Sequence, residues 1–371
     1  MVENDPQLID FVKFPPIYSI SGKKVEKMPE IIEMHNTMRR MLVDTRQLWD
    51  AYRDAWKRRQ SFEGGLTWKT SNGRDYLIRI YADIISKSKK QTSLGARSPE
   101  TERIFTEFKD GKEEATRRVA SLTARLEEQA RLNKAIGLGR VPTIAARVLR
   151  LLDRTGLLGR NIIVSGTNSL FAYEAAAGVL IERSLMATED LDLLMDARAR
   201  LKLTVDGLEA AGLLGLLHKV DRSFAKASSA FRAVNRDGFF VDLIKAEPTP
   251  PWKEERDAFG EKADLEASPI PNMRWIANAP KFQTVAIGED GMPVPIACAD
   301  PRAFALYKLW MGTQDPTRDP VKRGRDIAQA EVVASIVHGH FPQLQFEPEH
   351  LSSFPKAAID LAQDRPDPFF S

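Results

Sequence analysis

Apolar residues change their spacing several times along this chain, and each change predicts a new element. Between Pro29 and Phe62, Met34, Met38, Met41, Leu42, Leu48, Trp49, Tyr52 and Trp56 recur mostly at helical spacing. That stripe reads as core or as a dimer face. From Trp68 to Tyr81 the pattern is a hairpin with Asn72-Gly73 at its turn. Lys87 to Lys90 reads as a basic loop. Ser98-Pro99 then opens a long helix running to about Lys134, with Ser98 as N-cap and Pro99 in the first position. A break or kink is expected near Asp110-Gly111. A further helix spans Thr143 to Thr155, with Ile144, Val148, Leu151 and Leu152 inward and Gly156 closing it.

Beyond this point the elements shorten. Strands are predicted at 161–165, 190–195 and 238–244, and a helix from Leu170 to Arg183. Val205 to Leu213 reads as a helix, and Phe231 to Asn235 as a strand of a mixed sheet. Pro248, Pro250 and Pro251 mark a link. Phe282–Gly288 and Met292–Ile296 predict a hairpin around Glu289-Asp290-Gly291. Asp300-Pro301 starts a helix through Trp310, and Arg318 to Val337 forms another. The fold class is therefore α+β, with a small mixed-sheet core between two mainly helical flanks. The expected regions are 1–156 (helical, with a small hairpin), 157–250 (the mixed-sheet core) and 251–371 (mainly helical).

Composition narrows the setting. A formal charge of +3 over 371 residues does not argue for nucleic acid. Cys298 is the lone cysteine, so no intrachain disulfide forms, which fits a reducing cytoplasm. No apolar run approaches the roughly 18 residues that a membrane span needs. Met-Val-Glu-Asn-Asp-Pro at the start carries no basic region followed by an apolar stretch, so no secretory signal is expected. His35, His218, His338, His340 and His350 show no zinc spacing with Cys298. There is no phosphate-loop lysine motif, no dinucleotide fingerprint and no nucleophile-elbow serine.

The candidate chemistry lies in Ala-Thr-Glu-Asp-Leu-Asp-Leu-Leu-Met-Asp (187–196). On a strand, Asp190 and Asp192 share one face, and Leu191 and Leu193 face a core. Two acids so placed repel, and a cation compensates them. Hard divalent ions take carboxylates together with substrate phosphates. Asp242 in the strand Phe239-Phe240-Val241-Asp242-Leu243-Ile244 adds a third acid if the two strands pair. Three acids can hold two metals that clamp a phosphoryl displacement. Upstream, Gly166 lets the backbone approach a ligand, and Ser165, Thr167, Asn168 and Ser169 offer short donors ahead of a helix N-terminus. Lys322 and Arg325 lie three apart on a predicted helix, a cationic face suited to phosphate oxygens or an exposed face paired with Asp319 and Asp326. Lys308, flanked by apolar residues, reads as a snorkelling surface lysine. Asp196, Glu189, Glu174, Glu182, His338 and His340 read as structural or exposed.

This order of strand, glycine turn, helix, acidic strand and later acid resembles the DNA polymerase β-type nucleotidyltransferase superfamily. The resemblance is closest to a bacterial branch of nucleotidyltransferase-fold proteins. It rests on Gly-Thr-Asn-Ser-Leu-Phe-Ala-Tyr-Glu (166–174), Ala-Thr-Glu-Asp-Leu-Asp-Leu-Leu (187–194), Ser-Leu-Gly-Ala-Arg-Ser-Pro-Glu-Thr-Glu (93–102) and Arg-Asp-Pro-Val-Lys-Arg-Gly-Arg-Asp (318–326), over roughly residues 70–335. It implies that Gly166 and Ser169 cradle a triphosphate, with Thr167 and Ser169 as alternative hydroxyl contacts and Lys308 as a nucleotide contact. It implies Mg²⁺ or Mn²⁺ at Asp190, Asp192 and Asp242, with Asp242 as base for the incoming hydroxyl. The implied activity moves a nucleoside monophosphate from a triphosphate to a hydroxyl and releases pyrophosphate. The acceptor is open, with a nucleic acid such as tRNA among the candidates. Two other readings stand beside it: a non-catalytic binding protein that keeps the fold, its N-terminal helices carrying a partner or homodimer interface, and a toxin-like transferase acting on tRNA or protein. The chain departs from the pattern in having Thr167 after Gly166, and a whole helix between the turn and Asp190.

Overall fold

The computed structural model describes residues 31–82, 89–196, 208–248, 250, 252, 258–260, 264–351, 354–365 and 369. The predicted irregular start (1–25), Lys87 of the basic stretch, Val205 at the head of its helix and Pro251 lie outside them.

The N-terminal part opens with strand β1 (Ile31–Glu33) and helix α1 (Asn36–Gln60). Strands β2 (Gly65–Ser71), β3 (Arg74–Ala82) and β4 (Lys89–Ala96) form a separate three-stranded sheet. Ser71 pairs with Arg74, and Asn72 and Gly73 both have positive φ, as a two-residue hairpin turn of the primed type requires. Lys89 and Lys90 belong to β4, so this end of the expected basic loop is strand. Helix α2 (Pro99–Ala135) carries a capping box, with Ser98 Oγ accepting from the Thr101 amide. It runs unbroken through Gly111, contrary to the expected kink. A Cβ at Gly111 would stand 2.6 Å from Phe62 Cζ, so this glycine serves a close contact between elements rather than a break. Part of the α1 stripe is core: Met38, Leu42 and Trp49 are buried, with Leu122, Leu126 and Ala130 buried on α2, whereas Met41, Leu48, Tyr52 and Trp56 are half-buried. Thr45 and Asn133 are wholly enclosed and bonded to one another, and Asn133 Nδ2 also donates to the Gly291 carbonyl at 2.9 Å.

Helix α3 (Thr143–Arg154) leads into the central sheet. Next come β5 (Ile162–Ser165), a 3₁₀ turn at Gly166–Ser169, α4 (Leu170–Ala177), β6 (Val179–Ile181), α5 (Arg183–Met186) and β7 (Asp190–Met195). The predicted helix to Arg183 thus ends six residues early. Gly178 takes a left-handed C-cap, φ 70°, and the following Val-Leu-Ile run prefers an extended chain. That run is β6, which pairs antiparallel with β1.

The chain continues through α6 (Leu208–Val220), β8 (Ala225–Lys226), β9 (Arg232–Val234), β10 (Phe240–Ala246), β11 (Ser268–Ile270) and α7 (Arg274–Asn278). The hairpin β12 (Lys281–Ile287) and β13 (Pro293–Ala299) follows. Sheet order is β12-β13-β5-β7-β10-β9-β8, with β11 also on β10. The fold is α+β with a mixed sheet, since β7–β10 and β13–β5 are parallel and β5–β7 and β9–β10 antiparallel. The late hairpin joins this sheet where Cys298 meets Val164. Helices α8 (Pro301–Thr313), α9 (Pro320–His340) and α10 (Lys356–Gln363) close the chain, and Asp300 and Asp319 cap the first two. Among the described residues no helix is long and apolar enough to cross a membrane.

Candidate functional site

Strand alternation builds the site. In β7, Leu191 and Leu193 are fully buried, while Asp190 and Asp192 keep partial exposure on the other face. Parallel pairing with β10 sets Asp242 directly opposite Asp192. On the other flank, Ser165 at the end of β5 is also the register partner of Asp192. The chain then turns at Gly166 with φ 61°. A Cβ there would lie 2.2 Å from Asp192 Oδ2, so both the backbone angle and the carboxylate demand glycine.

A cavity of about 310 Å³ opens at this point. Ser165, Gly166, Ser169, Asp192, Arg232 and Asp242 line its polar end, with Lys308 and Arg318 beside them. Ile270, Met273, Ile276, Phe304, Tyr307 and Met311 give it an apolar wall. Such a mixture of polar anchors and apolar surface suits a small ligand with a charged end.

The electrostatics are uneven. Burial, then the Asp190 and Asp242 carboxylates, push Asp192 up to about 7, against the pull of Lys308 and Arg232. Asp242 accepts two hydrogen bonds from Arg232, 2.7 Å from Nε and 2.6 Å from Nη2. The Arg232 guanidinium also sits 4.7 Å from the Phe240 ring centroid. Behind the cavity, Asp326 accepts from Lys308 Nζ at 2.6 Å and from Arg318 Nε at 2.5 Å. Burial would raise Asp326, but these two cations outweigh it and hold its carboxyl below the usual range.

The predicted contacts separate into groups. Gly166, Ser169, Asp192, Asp242 and Lys308 line one cavity, and Asp190 lies two residues along from Asp192 on the same strand face. The Thr188 hydroxyl donates to Asp190 Oδ1. Ser169 Oγ donates to the Val164 carbonyl at 3.3 Å. Thr167 Oγ1 accepts from Gln329 Nε2 at 3.3 Å. Arg325 gives Nη2 to the carbonyls of Leu185 and Ala187, so it buttresses the approach to β7. Lys322 is exposed in the first turn of α9 and is not part of the cavity wall. Glu174, expected on an exposed helix face, is instead buried. It accepts from Arg140 Nε at 3.0 Å, Arg140 Nη2 at 2.8 Å and the Ile181 amide at 2.8 Å.

Arg232 and Arg318 were not among the predicted site residues. Arg232 was within reach of local rules. Asp237-Gly238 between two apolar runs signals a hairpin; with a three-residue loop, Arg236 to Gly238, Asn235 faces Phe239 and counting outward brings Arg232 opposite Asp242. Arg318 opens the 318–326 segment quoted for the resemblance, but no local spacing places it at the cavity, which it reaches through the packing of α8 on α9.

The donor set fits a hard divalent cation at Asp190 and Asp192: all-oxygen ligands, where the like charges of Asp190 and Asp242 add to burial in raising Asp192. Asp242 has the same chemistry, but Arg232 holds both its oxygens. As the side chains lie, no three carboxylate, imidazole or thiol groups among the described residues stand close enough to share one ion.

A family model described as Nucleotidyltransferase matches residues 143–353, more than half of the chain, and the chain belongs to that family. No curated protein and no solved structure matches it.

Proposed function

We propose that this nucleotidyltransferase moves a nucleoside monophosphate from a nucleoside triphosphate to a hydroxyl acceptor and releases pyrophosphate, at Asp190, Asp192 and Asp242. The observation that carries the reading is the register of Asp192 against Asp242, beside a glycine turn with no room for a side chain. Phosphoryl-type displacement needs in-line positioning and charge neutralisation more than covalent chemistry. Gly166 lets backbone amides come close to the triphosphate, and Ser169 and Thr167 lie on the same turn. Lys308 and Arg318 bring positive charge to the cavity wall, and Asp326 holds both in place. Asp242 takes the proton of the incoming hydroxyl, and Arg232 aims its carboxylate. A divalent cation, Mg²⁺ or Mn²⁺, held by Asp190 and Asp192, and by Asp242 once Arg232 releases one of its oxygens, would neutralise the phosphate charge.

Calorimetry with each triphosphate, in Mg²⁺ and in chelator, tests the site. Wild type should bind in Mg²⁺ only, and Asp190→Asn should bind weakly or not at all. Equal binding by the variant removes the assignment. One observation favours a second reading, nucleotide binding without turnover: the Asp242 carboxylate is already neutralised by Arg232. Pyrophosphate release over repeated turnovers separates the two readings.

A further inference from the structure

Far from the carboxylates, along α1, three cavities share walls. The first, about 320 Å³, lies between α1 and the β12–β13 hairpin and includes Arg46, Asp50 and Arg53. Arg53 and Asp153 also border the second, about 300 Å³, which is walled by Trp49, Tyr52 and Trp56. Trp56 and Gln60 continue into the third, about 450 Å³, against α2. They share lining residues in turn along the helix, and we treat them as a single groove.

Its middle is a ladder of flat rings. Trp49 and Tyr52 stack with centroids 5.4 Å apart and planes 22° apart, and Tyr52 and Trp56 with 6.2 Å and 27°. The Arg154 guanidinium lies 5.4 Å from the Trp56 ring centroid. The indole Nε1 atoms of both tryptophans have no hydrogen-bond partner, which leaves two donors unsatisfied. Cationic side chains outnumber the carboxylates Asp50, Asp153 and Glu63 along the groove. A chain of only +3 overall has gathered positive charge here.

We infer that this groove binds the acceptor, and that the acceptor is a single-stranded nucleic acid. Successive bases stack on aromatic rings, while arginines and lysines track the phosphates. The linked cavities suit an extended chain better than a single nucleotide. The groove comes closest to β5 in sequence at Leu158 and Arg160, just before that strand, whereas Gly166 and the carboxylates lie at the strand's other end. A strand of four residues spans roughly 13 Å. An acceptor held in the groove therefore has to extend past β5 to bring a terminal hydroxyl to Asp242, and a mononucleotide cannot do both. The inference rests on the transferase reading only for the word acceptor; binding in the groove can be tested alone.

Fluorescence anisotropy, without any triphosphate, should use a labelled oligouridylate of about twelve nucleotides, within the range of known single-strand sites. The wild-type protein should bind it, with affinity falling as salt rises. Tyr52→Ala combined with Arg154→Ala should weaken binding at least about tenfold, and Tyr52→Phe should retain it. Asp190→Asn with Asp192→Asn should bind as wild type, which separates failure of the groove from failure of the active site. Circular dichroism melts would confirm that each variant is folded. Absent wild-type binding at low salt, or unchanged binding by the folded double variant, overturns the inference. So does polyglutamate displacing the oligonucleotide at equal charge concentration, which would make the groove a site for acidic peptides.

Discussion

Asp192 is a site residue whose chemistry is strongly shifted by its surroundings. Its carboxyl, pushed to about 7, holds a proton more tightly in the folded protein than in the unfolded chain, where it titrates near its ordinary value of about 4. The stabilising contribution is therefore complete below about pH 4 and lost as pH rises through about 7. In chelator, thermal stability should fall between pH 5 and 8 for wild type and fall less for Asp192→Asn; melting curves at both pH values check this. Metal binding needs the ionised carboxylate, so Mg²⁺ affinity measured by calorimetry should rise over the same interval. Arg232 sets up the opposite experiment. Arg232→Ala leaves Asp242 buried and unpaired, at a cost of about 2–3 kcal/mol, less than for a fully enclosed pair because the guanidinium is partly exposed. Denaturant titration should show that loss in chelator, and added Mg²⁺ should recover part of it.

At the scale of elements, what was legible followed from local patterning. Alternation placed β7 at Asp190–Met195, and Asn72-Gly73 placed the first hairpin turn, because in both cases the determining residues are neighbours in sequence. What escaped was decided by distant partners. Val179–Ile181 reads as more helix until β1 is there to pair with it, and Glu174 reads as exposed until Arg140 is packed against it. Gly111 reads as a break until Phe62 fills the space above it. The candidate site was half readable for the same reason. The aspartates and Gly166 carry their own spacing, whereas Asp326 joins Lys308 and Arg318 only through helix packing. Arg140 ties the loop before α3 to α4 and to β6, where its Nη2 donates to the Ile181 carbonyl. Arg140→Ala should thus cost about 3–5 kcal/mol in a denaturant titration, since Glu174 would stay buried without a counter-charge. A cost under about 1 kcal/mol would show that this pair does not hold the elements together.

For the molecule as a whole, sheet order departs widely from chain order. The apolar strand β5 has β7 on one side, made soon after it, and β13 on the other, made more than a hundred residues later. During synthesis at about 5–20 residues per second, Ile162, Ile163 and Val164 would wait on the order of 10 s with one edge bare. Unpaired apolar edges recruit other chains. Ribosome-bound or prematurely terminated chains that stop before Pro293 should accordingly partition into the insoluble fraction, and chains completed through Ala299 should not, as sedimentation of translation products would show. The hairpin that closes the sheet is in this sense also the segment that ends the chain's exposure to aggregation, and translation pauses between residues 196 and 293 are where dependence on chaperones should concentrate.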